Sequence, residues 1–260
     1  MRVATFNLLN GRSLSDGEVH AERVAASVAD LDADILALQE VDRAQPRSGL
    51  LDLTAIAAEA LGAPTHRFAA AVAGTPGETW RPWRSEEDDA HPLYGIALIS
   101  RWPVSQWQIT RLPGAPVRSP VWIPGRGPIL LKDEPRVLIA AVIDTPAGPL
   151  TVGNTHLSFV PGWNVRQLRH AVRALRALPA PRLLIGDLNM PGGPVRAFTG
   201  WRSLAKLPTY PSPSPKAQLD HILLDPRGGG RLGEVVDVRN PHAGISDHRP
   251  LLVNVRQPGL

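Results

Sequence analysis

The sequence predicts an α/β protein in which short buried strands alternate with amphipathic helices. Three observations favour this class. The length of 260 residues suits one large domain. Short apolar runs recur between Gly, Pro and Asp residues, as strands buried in a sheet do. Helical periodicity appears between some of these runs. We therefore treat residues 1–260 as one domain, with no linker and no internal repeat.

The apolar runs are predicted to be the strands. They are Val3–Leu8, Ile35–Gln39, Ile96–Ser100, Val137–Ile143, Leu150–Asn154, Leu183–Gly186, His221–Leu224 and Leu251–Val255. Runs of this length are too short for typical helices, and the residues that flank them favour turns. The pattern therefore predicts several strands buried in a β-sheet.

Three segments are predicted to be helices, namely Glu18–Leu31, Leu53–Leu61 and Val165–Leu178. In the third, leucine, valine and alanine gather on one side at about 100° per residue. Its arginines gather on the opposite side, at Arg166, Arg169, Arg173 and Arg176. This is typical of a surface helix with a solvated face. The alternative is a docking stripe for a polyanion, in which Arg166 contacts the substrate.

Two long segments, Gly74–Pro92 and Leu112–Pro135, are predicted to be irregular, as is the shorter Pro208–Pro215. The first carries Trp80, Trp83 and the acidic run Glu86–Asp89, and the second carries Trp122. Loops of this length inside a compact domain are usually functional or disordered. We expect them to form the rims of a substrate cleft.

Composition excludes several classes of site. The chain has no cysteine, which excludes disulfides, thiolate metal sites and cysteine nucleophiles. We find no leader-like N-terminus and no apolar stretch long enough to span a membrane, and expect a cytoplasmic protein. The first 130 residues carry 12 basic and 15 acidic side chains, and the remainder carries 16 and 9. A basic half attracts phosphate-bearing partners, unless it reflects arginine bias on a solvated surface.

Polar side chains stand at the ends of the predicted strands. They are Asn7, Glu40, His156, Asp187, Asn189, Asp220, His221, Asp247 and His248. One such residue is typical of a turn, but turns require neither His nor Glu. Carboxylate and amide oxygens suit Mg²⁺, Mn²⁺ or Ca²⁺. No zinc-protease, nucleophile-elbow or phosphate-loop motif is present. The residues alone predict an oxygen-rich metal site with one or two histidines.

Seven ordered blocks give the sequence a resemblance to the endonuclease/exonuclease/phosphatase superfamily. They are Thr5–Asn7, Leu38–Val41, Tyr94–Arg101, Asn154–Leu157, Ile185–Asn189, Leu219–Ile222 and Ser246–Pro250. The resemblance implies a four-layer α/β/β/α sandwich, an α+β fold of two mixed β-sheets flanked by helices. It also implies a site in a cleft where loops of both sheets meet.

The resemblance implies a metal-binding group. Glu40 is the expected principal ligand of Mg²⁺ or Mn²⁺, and Asn7 and Asp247 assist it. Asp187 is expected to act as general base or to orient water, and Asn189 to hold water or a phosphate oxygen.

It also implies groups that bind the phosphate. His248 is expected to bond a non-bridging phosphate oxygen, oriented by Asp220. His156 is expected to bond the phosphate or to protonate the leaving group, and Tyr94 to contact substrate. One departure is Leu9, where many nuclease members carry an acidic residue. It weakens the case for a second metal ligand and for abasic-site cleavage.

The expected function is metal-dependent hydrolysis of phosphate esters, by a phosphodiesterase or nuclease. Phosphatase or phosphodiesterase activity on a small molecule or lipid head group is the alternative. A non-catalytic relative that binds phosphorylated ligands and a purely structural protein are two further readings. The basic C-terminal half favours nucleic acid as a partner, whereas the acidic run Glu86–Asp89 and the net charge of +4 do not.

Overall fold

The computed structural model describes residues 1–85, 89–116, 118–123, 127–228 and 232–256, with the backbone alone for 119–123, 127–129 and 131. Seven strands form the first sheet. In spatial order they are β14 (Glu234–Arg239), β15 (Leu251–Arg256), β1 (Arg2–Asn7), β2 (Ile35–Arg43), β5 (Leu93–Ser100), β3 (Thr65–Gly74) and β4 (Trp80–Pro82). Strands β1 and β2 are parallel and the other neighbours are antiparallel, so the sheet is mixed.

Six strands form the second sheet. In spatial order they are β12 (Arg202–Ser203), β13 (Asp220–Leu224), β11 (Arg182–Asp187), β10 (Gly148–His156), β9 (Arg136–Thr145) and β6 (Val104–Leu112). Here β10 and β11 are the parallel pair. Strands β7 (Arg118–Ile123) and β8 (Gly127–Lys132) form a separate antiparallel ribbon.

Helices cover the outer face of each sheet. Helices α1 (Ala21–Ala29) and α2 (Leu53–Ala60) pack on the first sheet, and α3 (Trp163–Arg176) and α4 (Gly192–Thr199) pack on the second. The side chain of Asp52 caps α2 by accepting from the N–H groups of Thr54 and Ala55. Among the described residues, no helix is long and apolar enough to cross a membrane.

The two sheets pack face to face. Along β2, Ile35 enters the core between the sheets whereas Leu36 meets the helices, because successive side chains of a strand point to opposite faces. Across this core the first sheet meets Ile139 and Ile185 of the second. The result is four layers, helix, sheet, sheet and helix, which confirms the predicted α/β/β/α sandwich.

A buried polar bridge joins the two sheets. Gln39 donates to Asn154 at 2.8 Å, and its amide also exchanges contacts with Thr5. The amide of Asn154 donates to the carbonyls of Leu38 (2.9 Å) and Ala97 (2.7 Å). Buried polar groups that satisfy one another in this way hold the two sheets at one relative position.

Two segments predicted to be irregular contain regular structure. Gly74–Pro92 includes β4, and Leu112–Pro135 includes β7 and β8. The acidic run is described only at Asp89, which lies 3.2 Å from Arg43, since residues 86–88 and the side chain of Trp122 fall outside the described residues.

The sequence reasoning also missed β3, β6, β14 and α4. The alanine-rich β3 has helix-forming composition, but pairing with β5 makes it a strand.

Candidate active site

The predicted site residues come from both sheets and meet at one end of the sandwich. Asn7 ends β1 opposite Gln39 of β2, and Asp187 lies opposite both His156 and Asp220 in the second sheet. A cleft of about 1410 Å³ opens there. The predicted residues that line it are Glu40, Tyr94, His156, Asp187, Asn189, Asp247 and His248.

Asn7 joins a carboxylate of each sheet. Its Nδ2 donates to Glu40 Oε1 at 3.1 Å and to Asp187 Oδ2 at 3.0 Å. Its own Oδ1 accepts from the N–H of Leu9 at 3.1 Å, which fixes the orientation of the amide. The buried Asn7 therefore holds Glu40 and Asp187 close together, although each carries a negative charge when ionised.

The backbone is strained at three positions of the site. Glu40 (φ 53°), Asn189 (φ 49°) and Ser246 (φ 69°) adopt left-handed conformations that favour glycine. Glu40 lies where the register between β2 and β5 shifts, in a bulge that redirects the side chain. Ser246 Oγ donates to the carbonyl of Asn7 at 2.6 Å and accepts from the N–H of His248.

A close backbone approach places Asp187. Gly186 has a φ of 136°, and a Cβ atom there would lie 1.9 Å from the carbonyl oxygen of Thr155. Only glycine fits between β10 and β11 at this point. The carboxylate of the next residue, Asp187, also accepts from the N–H of Asn189 at 2.9 Å.

Burial and mutual repulsion make these carboxylates weak acids. Burial raises the pKa of Glu40 to about 7, and the neighbouring Asp247 and Asp187 add to this against the hydrogen bond from Asn7. Burial likewise raises the pKa of Asp187 to about 6, opposed by the positive charge of His248. Removal from water and like charges nearby both disfavour the ionised form.

Asp220 and His248 form a buried pair. His248 Nδ1 lies 2.8 Å from Asp220 Oδ2, and its Nε2 lies 3.7 Å from Asp187 Oδ2. Burial alone would lower the pKa of His248, but Asp220 and Asp187 outweigh it and raise the pKa to about 10. The ring is therefore an imidazolium at neutral pH, with one N–H donated to Asp220 and the other near Asp187.

His156 is the opposite case. Burial, then the charges of Arg136 and His248, hold the pKa of His156 well below its usual range. Arg136 Nη1 lies 3.0 Å from His156 Nδ1. Because a guanidinium can only donate, Nδ1 accepts from Arg136. Nε2 is 3.6 Å from Asp187 Oδ2 and 3.1 Å from Asn189 Nδ2, which also donates to the carbonyl of Leu157.

The donor set suits a hard metal ion. The ligand atoms of Asp187, Asp220 and His248 lie within 4.8 Å of one another, a buried group that could hold a metal ion once His248 has released a proton. Asp220 Oδ1 is buried and has no hydrogen-bond partner. Glu40, joined to Asp187 through Asn7, adds another carboxylate. A divalent cation would offset the repulsion that raises the carboxyl pKa values.

Arg166 does not join this group. Its guanidinium lies 4.7 Å from the ring centroid of Trp163 on α3, and it does not line the cleft. Further along the same arginine stripe, Arg169 lies over the ring of Phe198 and Arg176 lies 3.8 Å from Asp225. The structure thus gives no support to a substrate contact by Arg166.

Sequence reasoning missed Arg136 and Tyr210, which lie beside the two histidines of the site. Arg136 begins the strand β9, so a search of both ends of each apolar run would have found it. The ring of Tyr210 lies 4.9 Å from that of His248 between centroids, and it comes from the proline-rich segment Pro208–Pro215. Cations that line the cleft were missed as well; they are Arg12, Arg47, Arg118 and Lys132.

Comparison with known proteins gave a family and a set of similar folds. A sequence model described as the Endonuclease/Exonuclease/phosphatase family matches residues 4–248. No curated protein sequence matches the chain. An endonuclease/exonuclease/phosphatase from Beutenbergia cavernae has a similar structure, with a TM-score of 0.72 at 22% identity, over 100% of this chain and 72% of that one.

Two further structures have names that state an activity. A mannosyl-6-phosphatase from Bacteroides thetaiotaomicron gives a TM-score of 0.60 at 16% identity, over 98% of this chain and 99% of that one. Sphingomyelinase C from Streptomyces griseocarneus gives 0.61 at 16% identity, with the same coverage. At these identities the likeness is one of fold.

Proposed function

This chain belongs to the endonuclease/exonuclease/phosphatase family, and from that premise and the site geometry we propose that it is a metal-dependent phosphodiesterase or nuclease. The observation that carries the proposal is the convergence of carboxylates and two unlike histidines. Glu40, Asp187 and Asp220 meet a charged His248 and a neutral His156 in one cleft. Binding alone requires no such division of protonation states, whereas phosphate hydrolysis uses both.

Asp187 is the proposed general base. Its pKa of about 6 places it near the value at which a base works best at neutral pH. Asn7 and the N–H of Asn189 hold the carboxylate in position, so it can orient a water molecule and take its proton. The amide of Asn189 is proposed to bond that water or a phosphate oxygen.

The two histidines are proposed to act on the phosphate. The imidazolium of His248, held by Asp220, donates from Nε2 to a non-bridging oxygen as negative charge grows there. His156, which is neutral, is proposed to hydrogen-bond the phosphate or the leaving-group oxygen. Tyr94, which lines the same cleft, is proposed to contact the substrate.

The metal ion is proposed to be Mg²⁺ or Mn²⁺. Glu40 is the proposed principal ligand, with Asp247 and Asn7 assisting, and the bound cation would neutralise charge on the phosphate oxygens. The raised pKa of Glu40 supports this assignment, because a cation favours the ionised carboxylate that burial disfavours.

The test is hydrolysis of bis-p-nitrophenyl phosphate with Mg²⁺ or Mn²⁺. We expect metal-dependent release of p-nitrophenolate by the wild type, and its loss in Glu40→Gln. Glu59→Gln, which alters an exposed carboxylate on α2, is the matched control and should keep the wild-type rate. Folded wild-type protein that releases no product with any divalent ion contradicts the proposal.

The second candidate substrate class is a sugar phosphate or a lipid head group. It is favoured by the similar folds of a mannosyl-6-phosphatase and a sphingomyelinase C. A screen of DNA, RNA, phospholipids and sugar phosphates separates these classes. A cytoplasmic location, expected from the sequence, stays a prediction.

A further inference from the structure

A second cavity of about 410 Å³, here called the tryptophan pocket, adjoins the cleft. Its walls come from β3, β4, the end of β6 and the segment before β9. Trp80, Lys132 and Arg136 line both the pocket and the cleft. Since Arg136 also contacts His156 at 3.0 Å, a group in this pocket lies beside the proposed phosphate site.

The pocket has largely apolar walls. The indoles of Trp80 and Trp83 are half-buried and line it together with Ala71 and Leu112. Four prolines complete the walls, Pro82, Pro113, Pro116 and Pro135. Apolar and aromatic walls in a cavity of this size are typical of sites for an organic group rather than for a bare ion.

Two cations of the pocket lack a carboxylate partner. The guanidinium of Arg111 lies 4.1 Å from the ring centroid of Trp83, and Lys132 Nζ lies 4.8 Å from that of Trp80. Burial lowers the pKa of Arg111, whose Nη1 donates to the carbonyl of Ala70, and in the described part of the chain no carboxylate lies within 4 Å of either cation. Cations in this setting attract an anionic ligand.

Two buried polar atoms of the lining residues are also unpartnered. Asp133 and Arg136 are 2% and 6% exposed, and Asp133 Oδ1 and Arg136 Nε have no hydrogen-bond partner. The other carboxylate oxygen of Asp133 is engaged by the N–H of Ala115 and the hydroxyl of Ser158. Unmet buried polar atoms are costly, and both of these belong to side chains that line the tryptophan pocket.

We propose that the tryptophan pocket binds a nucleoside of the substrate, next to the phosphate that is cleaved. The inference rests on the proposed function, since it assigns a substrate class to that site. A nucleobase is flat and stacks on indole, and its edge carries donors and acceptors for Asp133 and Arg136. An adjoining phosphate would meet Arg111 and Lys132. A lipid chain would leave these four polar groups unused.

The experiment compares a thymidine dinucleotide with two analogues in which one or the other thymine is absent, leaving an abasic sugar. All three keep the same phosphodiester. For the wild type we expect removal of one of the two bases to lower kcat/KM by at least about fivefold, the scale of one base stacked on an aromatic ring.

The variants are Trp83→Ala and Arg111→Gln, which line the tryptophan pocket but not the cleft. We expect Trp83→Ala to abolish the preference for the base and Arg111→Gln to raise KM for the dinucleotide. Hydrolysis of bis-p-nitrophenyl phosphate should continue in both. Trp107→Ala is the matched control, because Trp107 also pairs with an arginine, Arg67 at 5.6 Å, yet lines neither cavity.

Equal loss of base preference in Trp107→Ala, or a preference unaffected by Trp83→Ala, overturns the inference. So does hydrolysis of bis-p-nitrophenyl phosphate without cleavage of any dinucleotide, which leaves the proposed function intact. Turnover of phosphatidylcholine vesicles that depends on Trp83, without cleavage of dinucleotides, assigns the pocket to lipid instead.

If no ester is hydrolysed, the proposed function fails. Calorimetric binding of thymidine 5′-monophosphate then decides, and binding that Trp83→Ala abolishes supports the pocket.

Discussion

At the residue scale, two histidine rings in one cleft have different protonation states. Asp220 accepts from His248 and favours its imidazolium, whereas Arg136 donates to His156 and excludes a second proton. The sequence predicted both histidines, but it could not predict their states. Those depend on partners that lie 20 or more positions away and meet only in the folded sheets.

This difference predicts separate titrations in the metal-free protein. We expect His248 to stay protonated at about pH 8 and His156 to stay neutral at about pH 5.5, against an ordinary value of about 6.5. Ring ¹⁵N chemical shifts measure both. Two rings that titrate together near pH 6.5 would contradict the assignment.

The raised pKa of His248 determines how the stability of the protein changes with pH. Its contribution to the free energy of unfolding is fully present below about pH 6.5 and is lost as the pH rises towards about 10. The difference in unfolding free energy between the wild type and His248→Gln should therefore shrink over that window, as measured by urea denaturation of the metal-free proteins.

Replacing Asp187 and replacing His248 should have different effects on the melting temperature. Asp187→Asn should lower kcat by about 10²–10⁴-fold and leave the melting temperature unchanged or higher, because it removes a buried, repelled charge. His248→Ala should lower both, because it leaves the buried Asp220 without its partner. Steady-state kinetics and calorimetry check these outcomes; full activity in Asp187→Asn would exclude its role as the base.

At the element scale, the strands that carry the site were predictable because they are central and apolar. Strands such as β1, β2 and β11 are buried on both faces, so their sequences are short apolar runs with a polar residue at the end. The strands that were missed lie at or near sheet edges. Strands β6 and β14 are only partly buried, and their many polar residues resemble loop composition.

The bridge between the sheets gives a prediction at this scale. Asn154→Ala removes the donor to two buried carbonyls and the acceptor for Gln39. We expect the free energy of unfolding to fall by about 1–3 kcal/mol for each group left unsatisfied. Urea denaturation measures it. Asn240→Ala, which removes one partly buried hydrogen bond to the carbonyl of Pro208, is the control and should change stability less.

At the scale of the whole molecule, residues 7 to 248 must come together before the site exists. Ordered motifs predicted this arrangement through the family resemblance, and periodicity alone did not. Arg136, Tyr210 and the tryptophan pocket belong to no such motif, and the backbone conformation of the segments that position them does not follow from composition. Local sequence therefore predicts the strands that carry the site residues better than the segments that line the rest of the cleft.

Metal binding gives a prediction for the molecule as a whole. A cation that binds the native carboxylates and not the unfolded chain stabilises the fold by mass action, by about 2.7 kcal/mol at a concentration 100 times its Kd. We expect Mg²⁺ or Mn²⁺ to raise the melting temperature of EDTA-treated protein, and Glu40→Gln to reduce that increase. An identical increase in Glu40→Gln would show that the cation binds elsewhere.

The left-handed backbone at Glu40, Asn189 and Ser246 has a consequence for protein engineering. Glycine is the residue that this geometry prefers, and at Glu40 it would also remove a buried carboxylate that its neighbours repel, so selection for heat resistance alone would enrich glycine there. At Ser246 the hydroxyl makes two buried hydrogen bonds, so glycine would lose more stability than it gains. Directed evolution of a thermostable variant must therefore hold the codon of Glu40 constant, or it will optimise the scaffold at the expense of its chemistry.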